Sequence, residues 1–127
     1  TCIVIDESNQ KGAYALFPIE ITSPTKNYYF DYDLKYINPR AHICPSSLSN
    51  EEKLFIQNRA VDAHQLLGLR HYSSADFIVS PQRGTYLLEV NTLPGLAETS
   101  LLPQVLLANN TDMREFIDHI LSLALKK

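Results

Sequence analysis

The chain has 127 residues, 45% hydrophobic and 20% charged, values of a globular domain that exclude disorder, collagen-like sequence and a disulfide miniprotein. That length fits one domain, residues 1–127, and leaves no room for a second complete one. A net charge of -3 gives no basic field for nucleic acid or anionic lipid, and no apolar run is long enough to span a bilayer. The first residues lack the basic start and small-residue cleavage site of a signal peptide, so the expectation is a cytoplasmic protein with no nucleic-acid or membrane partner. Cys2 and Cys44 are the only cysteines and form no C-x-x-C pair, which suits a reducing compartment and leaves one bridge between them open. The chain opens on Thr1 rather than methionine, as a trimmed protein or a fragment would.

Thr1 to Asp6 is an apolar run ending in the polar Asp6-Glu7-Ser8-Asn9, which predicts a buried strand and a turn at Gly12. Ala13, Ala15, Phe17, Ile19 and Ile21 then alternate, predicting a strand with one buried face, edge or bulged because of Pro18. Asn27 to Tyr36 is aromatic and acidic with neither period, and Asn38-Pro39-Arg40 is a turn. Ser49 followed by Glu52 is a capping box that starts a helix, with Leu54, Ala60, Val61, His64 and Leu67 on one stripe and Gly68 as its stop. Residues Tyr72 to Ser80 and Thr85 to Asn91 predict a hairpin around Pro81-Gln82-Arg83-Gly84. Thr92 to Thr99 is loop, a short helix runs from about Ser100 to Ala108, and Asp112 with Glu115 starts a last helix. That helix should bury Met113, Phe116, Ile117, Ile120, Leu121 and Ala124.

The hairpin carries the chemistry. Period two puts Ser74, Asp76 and Ile78 on one face and Leu87, Glu89 and Asn91 on one face. Closure symmetric about Gln82 and Arg83 sets Asp76 opposite Glu89 and Ser74 opposite Asn91, with paired Cβ atoms about 5 Å apart. Two facing carboxylates require a cation, a shared proton or an open wet face. Hard oxygen donors of this kind suit Mg²⁺, which keeps waters and completes its shell with substrate phosphates. The competing reading makes Glu89 and Asn91 plain solvated strand residues.

The chain contains neither G-x-x-x-x-G-K-[ST] nor G-x-G-x-x-G, so a phosphate cradle must come from elsewhere. Lys35, inside Asp31-Tyr32-Asp33-Leu34-Lys35-Tyr36, serves either as a phosphate contact or as a solvated partner of Asp31 or Asp33. Ser100 serves either as an anion donor beside Thr92-Leu93-Pro94-Gly95-Leu96 or as a plain helix N-cap. His42, His64, His71 and His119 are scattered and read as satisfied core or surface histidines.

Leu87-Leu88-Glu89-Val90-Asn91-Thr92-Leu93-Pro94-Gly95-Leu96, with Ser100-Leu101-Leu102-Pro103, resembles the last signature of D-alanine-D-alanine ligases of the ATP-grasp superfamily. Phe30 to Tyr36 is similar to that family's active-site-covering loop, and Ile43-Cys44-Pro45 through Ala75-Asp76-Phe77 continues the match. The resemblance implies an α/β (α+β) fold, the C-terminal part of an ATP-grasp fold with a mostly antiparallel sheet flanked by helices. It implies ATP and two Mg²⁺ (or Mn²⁺) ions, the metal held by Asp76, Glu89 and Asn91, and nucleotide contacts from Lys35, Leu88 and Glu89. It further implies catalytic roles for Lys35, Tyr36 and Ser100, a second D-alanine pocket at Gly95, Ser100 and Leu101, and a homodimer when full length. The N-terminal and central domains are expected to be missing. One departure stands out: two residues before the metal-binding aspartate the family has an arginine that stabilises the reaction intermediates, and this chain has Ser74.

Overall fold

The computed structural model describes residues 1–8, 12–22 and 42–125. The first strand, β1 (Cys2–Asp6), is apolar and buried from Cys2 to Ile5, with both of its faces covered. Cys2 and Val4 cluster with Ile56 and Ala60 of helix α1 (Asn50–Leu66). Ile3 and Ile5 cluster with Leu101, Leu102 and Val105 of helix α2 (Leu101–Ala108) and Phe116 of helix α3 (Met113–Leu125). The sheet is thus sandwiched between one helix and a helix pair, a mixed α/β architecture. It is four-stranded and antiparallel, in the order β2 (Ala13–Ala15), β1, β5 (Tyr72–Ser80), β6 (Gly84–Asn91). A second, two-stranded sheet pairs β3 (Glu20–Ile21) with β4 (His42–Ile43). Side chains such as Leu102 and Val105, at 1% and 0% exposure, each stabilise by roughly 1.5–3 kcal/mol through burial. The Tyr72 ring meets Phe116 edge-on at 5.2 Å, fastening α3 to the start of β5.

Helix α1 has both of its expected ends. The Ser49 hydroxyl accepts from the Glu52 N–H, and the Glu52 carboxylate returns to the Ser49 N–H at 2.9 Å. At the other end Leu69 N–H reaches the His64 carbonyl and Gly68 N–H the Gln65 carbonyl, with Gly68 at φ +63, a Schellman stop. Asp112 and Glu115 cap α3 in the same reciprocal way.

Four expectations are corrected. The alternating segment from Ala13 to Ile21 is not one strand. Regular pairing ends at Ala15, Pro18 offers no N–H, and Ile19 N–H still reaches the Thr1 carbonyl at 3.0 Å, so across this irregularity Ala13 and Ala15 pack with the α1 cluster while Ile19 and Ile21 pack with the α2/α3 cluster. Phe17 is left exposed. On α1 the buried stripe is Ile56, Ala60 and His64 at i, i+4, i+8, and Leu54 and Leu67 face solvent. On α3 Leu123 is buried, while Leu121 and Ala124 are exposed. In the hairpin, Ser80 pairs with Gly84, so the loop is the three residues Pro81 to Arg83 and Gly84 takes φ +86. A bulge then leaves Leu88 without an opposite residue, and Leu87 pairs with Phe77 and Tyr86 with Ile78.

The Ser49→Ala variant should lose about 1 kcal/mol of stability in urea unfolding at neutral pH. The Ser49 hydrogen bonds hold the Glu52 carboxyl below the ordinary glutamate value. A lowered folded value means the stabilisation is present above the unfolded value and lost as pH falls through the folded one, so the gap between variant and parent should narrow in acid.

Candidate functional site

The loop shift at the hairpin tip and the bulge at Leu88 are each one residue, and they cancel. Asp76 therefore pairs with Glu89, and Ser74 with Asn91, the register that puts both carboxylates and the amide on one face. On its other side Ser74 pairs with Ile3 of β1, which continues along the same rows of the sheet. The pair is not simply bathed in water: Asp76 is only 5% exposed, while Glu89 is exposed. Thr1 Oγ1 donates to Asp76 Oδ1, and Asn91 Nδ2 donates to Glu89 Oε1 at 3.3 Å. These bonds help to orient both acids, and each carboxylate and the Asn91 amide oxygen is an oxygen donor of the kind a hard cation takes.

Burial removes the wet-face option for Asp76, and a buried acid beside a second acid requires positive charge or a proton. Two carboxylates and an amide oxygen are hard donors, few in number, which is the donor set that fits Mg²⁺ with waters and phosphate oxygens filling its shell. Among the described residues no cluster of three His, Cys, Asp or Glu groups forms a metal site of the all-protein kind.

Asp76 and Glu89 border a cavity of about 420 Å³ whose walls are mainly apolar, including Ile19, Ile56, Phe77 and Leu88. Leu88, the bulged residue, and Glu89 border it from β6, and Asp76 to Val79 border it from β5. Thr1 and Ser46 also border it, and nothing in the periodicity of the sequence pointed to either. Ser46 arrives through a long-range contact, its N–H bonded to the Pro18 carbonyl at 2.9 Å.

After Asn91 the chain loops to Ser100 at the N-terminus of α2. Ser100 stands at the N-cap position, yet its side chain makes no capping hydrogen bond. Pro103, at the third helical position, has no N–H to offer it. The plain-cap reading of Ser100 is therefore corrected. A Cβ placed on Gly95 would lie 2.8 Å from Ser100 Oγ, so glycine is what lets the loop close on that buried hydroxyl. The Leu101 side chain belongs to the core, and its backbone N–H at the first turn is the group it can offer a ligand. Lys35 and Tyr36 lie outside the described residues.

Among the described residues, three histidines have structural partners. His64 is 1% exposed, with Nδ1 2.8 Å from Ser73 Oγ and Nε2 3.0 Å from Asp6 Oδ1, joining α1, β5 and the end of β1. Its Ser-His-Asp composition has no nucleophilic use, because Ser73 is equally buried. His119 Nε2 meets the Asp6 carbonyl at 2.8 Å, and His42 Nδ1 meets Gln104 Oε1 at 3.1 Å. Both cysteines are free thiols, and burial pushes Cys2 up to about 12, far from a thiolate.

The family model described as D-ala D-ala ligase C-terminus matches residues 1–122. This chain belongs to that family. It is 40% identical over its whole length to the D-alanine--D-alanine ligase of Desulfotalea psychrophila, covering 39% of that protein. It is 38% identical to that of Halalkalibacterium halodurans, again over the whole chain and 42% of the relative. Among solved structures it resembles D-alanyl-alanine synthetase A from Vibrio cholerae, with TM-score 0.73 and 28% identity over 99% of this chain and 38% of that one. It also resembles the D-alanine--D-alanine ligase from Bacillus anthracis complexed with ATP, with TM-score 0.66 and 26% identity over 98% of this chain and 38% of that one. The fold is therefore that of the ATP-grasp ligases. The chain spans about two fifths of the length of these relatives.

The Gly95 contact gives a prediction. Gly95→Ala should destabilise by about 1–3 kcal/mol through overpacking against Ser100. Adding Ser100→Ala should recover part of that loss in a double-mutant cycle by chemical denaturation. Additive effects would mean that the two residues do not touch.

Proposed function

We propose that this chain is the C-terminal part of a cytoplasmic ATP-dependent D-alanine-D-alanine ligase that makes the D-Ala-D-Ala dipeptide for peptidoglycan and so for the cell wall. The observation that carries the reading is the Asp76, Glu89 and Asn91 face beside an apolar cavity, in a chain of this family. In the full-length enzyme, a homodimer, one D-alanine carboxylate takes the terminal phosphoryl group of ATP with release of ADP, and the amine of a second D-alanine attacks the acyl phosphate, forming the amide and expelling inorganic phosphate with loss of a proton from the amine. Asp76, Glu89 and Asn91 hold Mg²⁺ or Mn²⁺, which when bound neutralises charge on the transferring phosphoryl group. Leu88 contributes to the apolar wall for the nucleotide, with Glu89 next to it at the phosphate end. By the family resemblance Lys35 contacts the transferred phosphate and Tyr36 is a catalytic residue with it. The second D-alanine takes its donors from the Ser100 hydroxyl and the Leu101 N–H, in the space that Gly95 keeps open. Holding both substrates in line supplies much of the barrier reduction.

The test is ATP hydrolysis stimulated by D-alanine in the full-length protein. Stimulated turnover is expected, and Asp76→Asn or Glu89→Gln should lower kcat by on the order of a hundredfold or more. Absence of stimulation in the parent protein would contradict the reading.

Ser74 favours one second reading, a ligase-like protein that binds nucleotide and metal without turnover. Arg70 and Arg83 lie outside the strands, before β5 and in the hairpin loop, so neither occupies a position on that face, and Arg40 lies outside the described residues. If the protein turns over, Ser74→Arg should raise kcat more than it changes KM, because the guanidinium acts on developing charge. Unchanged turnover in steady-state kinetics would mean that another cation already serves.

A further inference from the structure

Ser46 is 3% exposed, and its hydroxyl has no hydrogen-bond partner among the described residues. It borders the same cavity as Asp76 and Glu89, among apolar neighbours such as Ile19, Leu48, Ile56 and Phe77. A buried hydroxyl left unpaired destabilises a fold, since it has given up water for nothing. Groups of that kind persist where a ligand completes them. Its neighbour Ser47 is fully used, with N–H and Oγ both bonded to the Glu20 carboxylate at 2.9 and 2.6 Å, so the orphan is a property of Ser46 and not of the turn. The Ser46 N–H is also satisfied, by the Pro18 carbonyl. The side-chain oxygen is the group left to be paired by something else.

The cavity sorts its occupants by chemistry. Acids border it at Asp76 and Glu89, where a cation and phosphates belong, and its apolar walls suit a flat, weakly hydrated heterocycle. We propose that the Ser46 hydroxyl is a specificity-determining group that hydrogen-bonds the base of the bound nucleoside triphosphate. This rests on the ligase reading above and adds to it a residue that reads the base, where Asp76 and Glu89 serve the cation that the phosphates bind. In the empty protein the hydroxyl destabilises the fold, and nucleotide binding gives it a partner.

The proposal predicts opposite signs for one substitution. In the full-length protein, Ser46→Ala should raise the thermal midpoint without nucleotide, because the unpaired oxygen is gone. It should also raise the KM for Mg-ATP by about threefold to tenfold, the value of one neutral hydrogen bond, with kcat and the KM for D-alanine unchanged. Inorganic tripolyphosphate with Mg²⁺, which carries no base, should inhibit parent and variant equally. A variant that is less stable without nucleotide would show that another part of the chain already pairs Ser46, and would overturn the proposal. So would an unchanged KM for ATP, or an equal weakening of tripolyphosphate inhibition, which would move the contact to the phosphates. A parent protein that fails to bind Mg-ATP would instead overturn the ligase reading together with the proposal.

Discussion

Two carboxylates held across neighbouring strands repel, and in this chain the repulsion is built in by a register fixed from both ends. The Asp76–Glu89 pair depends on the three-residue loop at the hairpin tip, on Gly84 at φ +86, and on a bulge at Leu88 that undoes the loop's one-residue shift. It depends equally on β1, which pairs with β5 from Cys2 to Ile5 and carries Thr1 up to the Asp76 carboxylate. Strand β1 is in turn held by covered faces, α1 on one side and α2 with α3 on the other. A buried acid next to another acid is an expensive arrangement. The fold supports it with a core on each side of the strand that positions it.

The helices and the hairpin were legible because their signals are local. Capping boxes at Ser49 and Asp112 and the Gly68 stop specify themselves within a few residues. The buried faces were less legible: Leu54 and Leu67 are as apolar as Ile56, and only the position of the sheet decides which of them is covered. The Ala13 to Ile21 segment misleads for a physical reason, since its alternation is real but Pro18 moves the chain from one face of the sheet to the other.

The facing of Asp76 and Glu89 was readable from parity and assumed symmetric closure, although the real path to it contains two compensating irregularities. Period-two reasoning sees the sum of such shifts and not their parts, so symmetric closure gives Asp76 its true partner although Ile78, nearer the tip, pairs with Tyr86. Ser46 and Thr1 were not readable at all. They reach the cavity through the Pro18 carbonyl and the β1–β5 pairing, contacts between residues far apart in sequence. Ser100 was readable as a position, and the missing N–H of Pro103 was the sequence signal that could have separated a plain cap from a free hydroxyl.

The central claim is that the hairpin face holds the metal which the nucleotide brings. A crystal structure of the full-length protein with Mg²⁺ and a non-hydrolysable ATP analogue tests it most directly. The expected result is Mg²⁺ within about 2.1 Å of oxygens from Asp76, Glu89 and Asn91, with the phosphates completing the shell. Metal and phosphates bound away from this face, touching neither Asp76 nor Glu89, would contradict the account.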